Sequence, residues 1–214
     1  MKSPRDEVLD TVRAALKRDV DSILPSVPLA ARISSRVPGD VNAELSQLFA
    51  EIEKLGGKTQ RLTNAANLKD ALQDLIRVEA IKKATLWQTT DLKELGIEEA
   101  LTSIGVEIVL PYASNRAVAE CDLGITGADY ALPETGTLVL RSSIEKPRIV
   151  SLLPRVHLAI IRPNILRADL HQVFDEVKRD GYFVFVTGPS RTADVELTLT
   201  IGVHGPQALH VWAI

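Results

Sequence analysis

The amino-acid sequence predicts a single α/β domain built on a parallel β-sheet, with an additional layer of β-hairpins. Two observations support this prediction. From residue 58 to residue 129, strand-like runs alternate with helical patterns, which is typical of parallel strands joined by right-handed crossovers. From residue 128 to residue 161, the helical period disappears and short apolar runs with turn residues follow one another, which favours hairpins or an inserted β layer.

The first 39 residues differ in pattern from the rest of the chain. Ser3 is a good N-cap for a helix over 3–18, in which apolar residues recur on one face. Three prolines then interrupt residues 21–39, which we predict to be an extended linker. The helix is interpreted as either a mobile arm or an oligomer contact. The predicted organisation is therefore an N-terminal helix and linker over 1–39, followed by the α/β domain over 40–214.

Within the α/β domain, caps and periodicity set the element order. Asp40 is a suitable N-cap for a helix that ends at Gly56 and Gly57. The other predicted helices share an apolar stripe and cover residues 68–80, 91–103 and 168–180. The predicted strands are rich in apolar residues and cover residues 58–62, 84–89, 106–111, 123–129 and 182–188, followed by the runs VELTLTIG and ALHVWAI. Because the run at 182–188 does not alternate, we predict a fully buried strand there.

Composition argues against several classes of function. A net charge of −3 and an aromatic content of 4% argue against nucleic-acid binding. No apolar run approaches the length of a membrane span, and the charged N-terminus is unlike a secretory signal, so we expect a soluble, cytoplasmic protein with no membrane insertion. Cys121 is the one cysteine, and the four histidines are scattered. We therefore expect no metal site and no cofactor in this chain, and we expect Cys121 to be a packed apolar side chain.

The strongest candidate for an anion site is TGPSRTAD, at 187–194, directly after the predicted buried strand. Ligands of open α/β sheets lie beyond the carboxyl ends of strands. Gly188 permits close approach of the backbone, and Ser190 and Thr192 offer hydroxyl groups. Arg191 offers a guanidinium suited to a carboxylate or a phosphate. The alternative is a surface turn with a solvated arginine.

Two further turns carry residues suited to proton transfer. GVHGPQALH places His204 between two glycines, where it could act as a general base or only cap a strand end. PETGT places Glu134 before Thr135 and Gly136, where it could act as a nucleophile or an acid–base group. Hairpin turns favour the same residue types, so an ordinary turn remains the alternative.

Other charged residues have less specific surroundings. Asp122 and Asp129 flank LGITGA, whose glycines do not fit the G-x-G-x-x-G spacing of dinucleotide-binding loops. Arg148 and Arg155 flank the SLLP segment. These two arginines either extend a positive cleft or are solvated at the surface.

Four blocks occur in order along the chain: CDLGITGADYALPETGTLVLRSS, SLLPRVHLAII, TGPSRTADVELTLTIGVHGP and LHVWAI. Together they resemble the lactate utilisation protein C family, also called the LUD-domain family. The resemblance covers residues 40–214 and is strongest from residue 119 onward. It implies a Rossmann-like three-layer parallel sheet with an added β-hairpin layer, as in the sugar-phosphate isomerase and coenzyme A transferase superfamily.

The resemblance also implies a function and partners. The family acts in the oxidation of L-lactate to pyruvate alongside two iron–sulfur proteins, which implies that the clusters lie on partner chains and that this chain is the subunit without them. Glu134 would lie near the position of the catalytic glutamate of coenzyme A transferases, by analogy of fold. Ser190, Arg191, Thr192 and His204 fall in the family's own motif.

Three functional hypotheses remain open from the sequence. In the first, the chain is an enzyme component in which Arg191 holds the carboxylate of lactate and His204 relays a proton. In the second, it is a non-catalytic subunit that binds an anionic metabolite and regulates the cluster proteins. In the third, it is an independent isomerase, cyclo-ligase or acyl transferase with Glu134 at its centre. A homo-oligomer is possible under each hypothesis.

Overall fold

The computed structural model describes most of the 214-residue chain, namely residues 3–16, 36–63, 65–177, 181–192 and 200–214. The chain divides into two compact units, residues 1–34 and 35–214. The predicted linker between residues 21 and 35, and most of the VELTLTIG run, lie outside the described residues.

The first unit contains helix α1, Pro4–Ala15. Its N-terminus has a capping box, in which the Asp6 backbone N–H donates to Ser3 Oγ and the Ser3 backbone N–H donates to the Asp6 carboxylate. The described part of this helix contains no buried residue, and Val8 and Val12 on its apolar face are exposed. The predicted N-terminal helix is confirmed, with an earlier C-terminal end.

The helices of the second unit are α2 (Val41–Lys54), α3 (Ala65–Val78), α4 (Thr90–Glu94), α5 (Ile97–Ser103), α6 (Asn115–Ala119), α7 (Ile149–Leu152) and α8 (Leu170–Val177). Asp40 caps α2 as predicted, because its side chain accepts the backbone N–H groups of Asn42 and Ala43. The helix predicted over 91–103 is two helices, because Gly96 at φ +62° takes the left-handed conformation between them.

The strands of the second unit are short, two to six residues each, and are β1 (Lys58–Arg61), β2 (Lys83–Leu86), β3 (Glu107–Ile108), β4 (Leu123–Thr126), β5 (Tyr130–Leu132), β6 (Thr137–Arg141), β7 (Val156–Ile161), β8 (Phe183–Val186), β9 (Arg191–Thr192), β10 (Thr200–Ile201) and β11 (Ala208–Ala213). Six of them form a parallel sheet in the order β1-β11-β7-β4-β2-β3. The strands β5, β6 and β8 form a separate antiparallel sheet, and β9 pairs with β10.

The order of the parallel strands determines where the helices lie. The connections from β1 to β2 and from β2 to β3 run across the sheet in one direction, and all later connections run in the other. Because crossovers are right-handed, α3, α4 and α5 cover one face of the sheet and α6 and α7 cover the other. The structure therefore confirms the predicted Rossmann-like α/β fold with an added β layer.

The prediction of hairpins or an inserted β layer over residues 128–161 is wrong for two apolar runs. The run RIVSLL forms helix α7, and VHLAII forms β7 inside the parallel sheet, so neither belongs to the hairpin layer. The hairpin layer consists of β5 and β6, which follow β4 directly, together with β8 from a later part of the chain. Short apolar runs have no periodicity that separates a buried helix turn from a strand, which explains both errors.

The prediction of a fully buried strand at 182–188 is also wrong. The strand β8 pairs antiparallel with β6, and Phe185 in it is 38% exposed. Phe185 packs against Phe174 and Phe183, with ring centroids 6.0 and 5.4 Å away. The aromatic rings cover one another at the edge of the small sheet, so an unbroken apolar run does not require burial on both faces.

The close packing of α7 on the parallel sheet depends on one glycine. A Cβ atom at Gly124, in the middle of β4, would overlap the backbone carbonyl of Val150 in α7 and would lie 3.0 Å from Pro154 Cγ. Between α6 and β4, Cys121 is buried, and burial raises the pKa of its thiol to about 11. Among the described helices, none has the length and apolar character that a bilayer crossing requires.

Replacing Gly124 with alanine should destabilise the fold by about 2 kcal/mol or more, because α7 must move away from the sheet. Urea unfolding measures the change. Gly127→Ala is the matched control, because a Cβ there has only a 3.7 Å contact, to the carbonyl of Ile160. Equal unfolding midpoints for the two variants would contradict the close approach.

Candidate functional site

The carboxyl ends of the central parallel strands enclose a cleft of about 360 Å³. The adjacent strands β2 and β4 send their chain connections to opposite faces of the sheet, which opens a crevice at such a topological switch point. Residues that follow four strands line the cleft: Trp87 and Thr89 after β2, Gly127 and Ala128 after β4, Arg162 after β7 and Ile214 after β11. The strand order alone therefore brings these distant residues together.

Trp87 forms a rigid wall of the cleft. Its indole N–H donates to the Pro147 carbonyl at 3.1 Å, and the Lys146 ammonium lies 5.6 Å from the centroid of its rings. The backbone N–H of Gln88 donates to the Glu145 carbonyl at 3.0 Å. These contacts fix the 143–147 segment against the end of β2.

Asp129 holds the cations beside this segment. Its carboxylate accepts a hydrogen bond from Lys146 Nζ at 2.6 Å, from Arg141 Nε at 3.2 Å and from the Arg141 backbone N–H at 2.8 Å. The side chain of Asp129 is only 5% exposed, so little water screens these pairs. The sequence placed Asp129 beside two glycines without a role, and the structure shows it as the anchor of two cations.

Arg162 supplies the main cation of the cleft. Its side chain is exposed, and within the part of the chain that the structure describes no carboxylate lies within ion-pair distance of it. Lys146 shares its charge with Asp129, so its field in the cleft is weaker. Asp91 and Glu94, from α4, line the cleft as well. The cleft thus offers a guanidinium for an anionic group together with carboxylates that can accept a hydroxyl proton.

A second cavity, of about 380 Å³, adjoins the small sheet and contains Glu134. Its polar lining includes three threonines joined by hydrogen bonds, with Thr135 Oγ1 2.7 Å from Thr137 Oγ1 and the latter 2.8 Å from Thr187 Oγ1. Asp169 also lines it, and no basic side chain of the described residues does. An acidic lining of this kind disfavours an anionic ligand unless a carboxylate becomes protonated.

A basic side chain that acts on Glu134 and Asp169 of this cavity already has a partner. The Arg36 guanidinium pairs with Glu44, and its hydrogen bonds hold the pKa of that buried carboxyl below its usual range. The Arg36 backbone N–H donates to Asp169 at 3.0 Å. Hydrogen bonds from the backbone N–H groups of Gln172 and Arg36 lower the pKa of Asp169. Both acids are therefore held ionised by the fold.

The three turns singled out from the sequence adjoin one another. Thr137 Oγ1 and Thr187 Oγ1 form a hydrogen bond between the PETGT and TGPSRTAD turns. The Ser190 backbone N–H donates to the Pro206 carbonyl at 2.9 Å, which joins the TGPSRTAD and GVHGPQALH turns. Gly136 and Gly188 both have positive φ, +64° and +85°, and both pack against the C-terminal end of α2. Small residues are required there because α2 lies so close.

Arg191 contacts the same helix end. Its guanidinium donates to the Leu55 carbonyl, one of the carbonyl groups that the end of α2 leaves without a helical partner. Thr192 pairs with Thr200 in the two-residue ladder of β9 and β10. His204 is exposed and lines neither cavity.

The structure corrects the argument for the TGPSRTAD turn. This turn follows β8 of the antiparallel sheet, so it does not lie at the carboxyl edge of the parallel strands as predicted. Of the predicted site residues, Glu134 and Thr135 line the second cavity, and none lines the cleft at the switch point. The sequence analysis missed Trp87 and Arg162. Their position directly after strand-like runs was the signal that could have found them.

Metal ligands do not cluster in the described residues, where no group of three or more histidine, cysteine or acidic side chains is placed to hold an ion. Cys121 is buried and carries the one thiol of the chain. The described residues therefore do not form a ligand set for an iron–sulfur cluster.

Comparison with known proteins identifies relatives for most of the chain. The family model of the LUD domain matches residues 45–214. Lactate utilization protein C of Shouchella clausii is 35% identical over 152 residues, 66% of each chain, and that of Halalkalibacterium halodurans is 33% identical over 155 residues, 67% of each chain. The chain thus spans about two thirds of these relatives. A crystal structure of a DUF162 family protein from Deinococcus radiodurans, at 19% identity, has a TM-score of 0.61 and covers 82% of this chain and 99% of its own, which shows a shared fold.

A double-mutant cycle tests whether the PETGT and TGPSRTAD turns are in contact. Thr137→Val and Thr187→Val should show a coupling free energy of about 1 kcal/mol in urea unfolding, since each removes the same hydrogen bond. Thr187→Val paired with Thr102→Val, in the remote helix α5, should be additive. Additive energies in both pairs would contradict the contact.

Proposed function

The chain belongs to the LUD-domain family, and from this premise we propose that it is a component of L-lactate utilisation that binds a small 2-hydroxy acid in the cleft at the switch point. The names of the curated relatives support the metabolic role. The observation that carries the site is the Arg162 guanidinium, which lines the same cleft as Asp91 and Glu94 of α4.

The lining of the cleft suits each group of such a ligand. Arg162 presents two parallel N–H groups to the carboxylate. Asp91 or Glu94 accepts the hydrogen bond of the hydroxyl group and takes up its proton. The methyl group lies against Trp87 and Ile160, which are buried. The cleft therefore offers a cation, a proton acceptor and an apolar surface for a short hydroxy acid.

Oxidation of L-lactate to pyruvate releases two electrons and two protons. In this proposal Asp91 and Glu94 take up the hydroxyl proton and the proton released from C2, and this chain binds and orients the substrate. The two electrons would pass to iron–sulfur clusters on partner chains. The same cleft without electron transfer would serve a metabolite-binding or regulatory subunit.

Arg162→Ala should weaken L-lactate binding by about 2 kcal/mol, the usual loss of a charged hydrogen-bonding partner. Isothermal titration calorimetry measures the affinity, and L-lactate-dependent dye reduction measures function when the purified chain is added to extracts of cells that lack it. Wild type should restore the rate and Arg162→Ala should not. Arg116→Ala, at a side chain that is 90% exposed, is the control and should behave as wild type.

The possible outcomes separate the hypotheses. Loss of binding with an unchanged rate indicates a regulatory site. A rate that is the same without the chain overturns the role in lactate oxidation. Equal binding by wild type and Arg162→Ala overturns the cleft as the site.

A second candidate function is acyl or isomerase chemistry at the Glu134 cavity. The observation that favours it is the row of threonine hydroxyls beside the glutamate. In this alternative the hydroxyl groups of Thr135, Thr137 and Thr187 contact the ligand beside Glu134. The other predicted residues, Gly188, Ser190, Arg191, Thr192 and His204, do not line this cavity. The acidic lining of the cavity is the argument against it.

For this alternative, Glu134→Gln should abolish turnover of a phosphate- or coenzyme A-bearing substrate while ligand binding stays intact. If Arg191 instead holds the carboxylate of lactate, Arg191→Ala should weaken L-lactate binding by about 2–4 kcal/mol. If Arg191 only closes the end of α2, the same variant should lower stability by roughly 1 kcal/mol and leave binding unchanged. Calorimetry and urea unfolding on the same samples distinguish the two roles, and wild-type behaviour of both variants excludes this site.

A further inference from the structure

A third cavity, of about 200 Å³, lies beside the cleft and is lined by Arg141, Ser142, Ser143, Lys146, Gly181 and Tyr182. Lys146 lines both this cavity and the cleft, so a single ligand in contact with Lys146 can extend from one to the other. Neither the family nor the lactate proposal assigns a role to this place.

An arginine without a carboxylate partner among the described residues lies beside the cavity. The Arg148 guanidinium lies 4.6 Å from the ring centroid of Tyr182, which is 52% exposed. No carboxylate of the described residues forms an ion pair with Arg148. Arg141 and Lys146 share the charge of Asp129, and Glu176 also acts on Arg141. Within the described residues, Arg148 therefore offers a positive charge to a ligand of the cavity.

The remaining lining is polar and open. The hydroxyl groups of Ser142 and Ser143 supply hydrogen bonds. The Ser142 backbone N–H donates to the Tyr182 carbonyl at 2.8 Å, and the Ser143 backbone N–H donates to the Lys146 carbonyl at 3.2 Å, which fixes the main chain at both serines. A Cβ at Gly181 would meet no atom within 4 Å, so the mouth of the cavity is open at this residue. A lysine and an arginine together with hydroxyl donors match the oxygens of a phosphate group.

We propose that this cavity binds the phosphate group of an organic phosphate. Lys146 and Arg148 contact the phosphate oxygens, the two serine hydroxyls donate to them, and the organic part of the ligand extends past Lys146 towards the cleft. The site is independent of hydroxy-acid binding by Arg162. It gives the protein a way to sense or to use a phosphorylated metabolite.

Calorimetric titration with ADP, pyrophosphate and adenosine tests the site in the full-length protein. ADP and pyrophosphate should bind and adenosine should not, because the phosphate oxygens carry the interaction. Arg148→Gln should weaken both at least about tenfold, the loss expected for a charged hydrogen bond. Gly181→Leu changes no charge and should block the cavity to the same extent.

Two controls locate the binding. Arg116→Gln, a surface charge change elsewhere, and Arg162→Ala, in the cleft, should bind pyrophosphate as wild type does, which separates this test from that of the lactate proposal. Thermal melts confirm that each variant is folded. Absence of phosphate binding, full competition by chloride at equal ionic strength, or wild-type affinity in both Arg148→Gln and Gly181→Leu would overturn the proposal.

Discussion

The buried carboxylate of Asp129 connects the parallel sheet to the three-stranded antiparallel sheet. It follows β4 of the parallel sheet, and it binds Arg141 at the end of β6 in the antiparallel sheet and Lys146 in the next loop. Burying a carboxylate is unfavourable unless it is paired and hydrogen-bonded, and here three donors satisfy it. These hydrogen bonds position Lys146, which lines both the cleft and the cavity proposed for phosphate, and Arg141, which lines that cavity. The charge balance of the region follows from them too, because one acid serves two cations.

Much of the fold could be predicted because local patterns and topology agree. Asp40 caps its helix, the alternation of strands and helices gives a parallel sheet, and the C-terminal ALHVWAI run forms a strand in it. The errors concern short apolar runs whose partners are remote in sequence. Phe183 and Phe185 resemble core residues in a linear pattern, but they pack against Phe174 at an exposed edge. Only the tertiary arrangement distinguishes the two situations.

The candidate site was less predictable, for a different physical reason. The cleft gathers residues from the ends of four strands, and strand order, which no local pattern records, decides which ends are neighbours. Trp87 and Arg162 are separated by 75 positions and are ordinary in their local context. The polar turns were conspicuous because glycine, serine and threonine are concentrated in them. Gly136 and Gly188 are explained by the close approach of α2, which accounts for these residue types without a ligand.

The single thiol gives this protein a built-in probe of local opening. Cys121 is buried between α6 and β4, its Sγ lies 3.5 Å from the Ala117 carbonyl, and its raised pKa leaves almost no thiolate at neutral pH. A thiol reagent can therefore react only when α6 and the beginning of β4 separate, so the rate of modification reports how often that separation occurs. Because β4 also ends at the cleft, a ligand that steadies the strand would slow the reaction of a group at its opposite end. The rate of Cys121 modification thus measures, without an introduced label, how ligand binding in the cleft at one edge of the sheet changes local opening at the other edge.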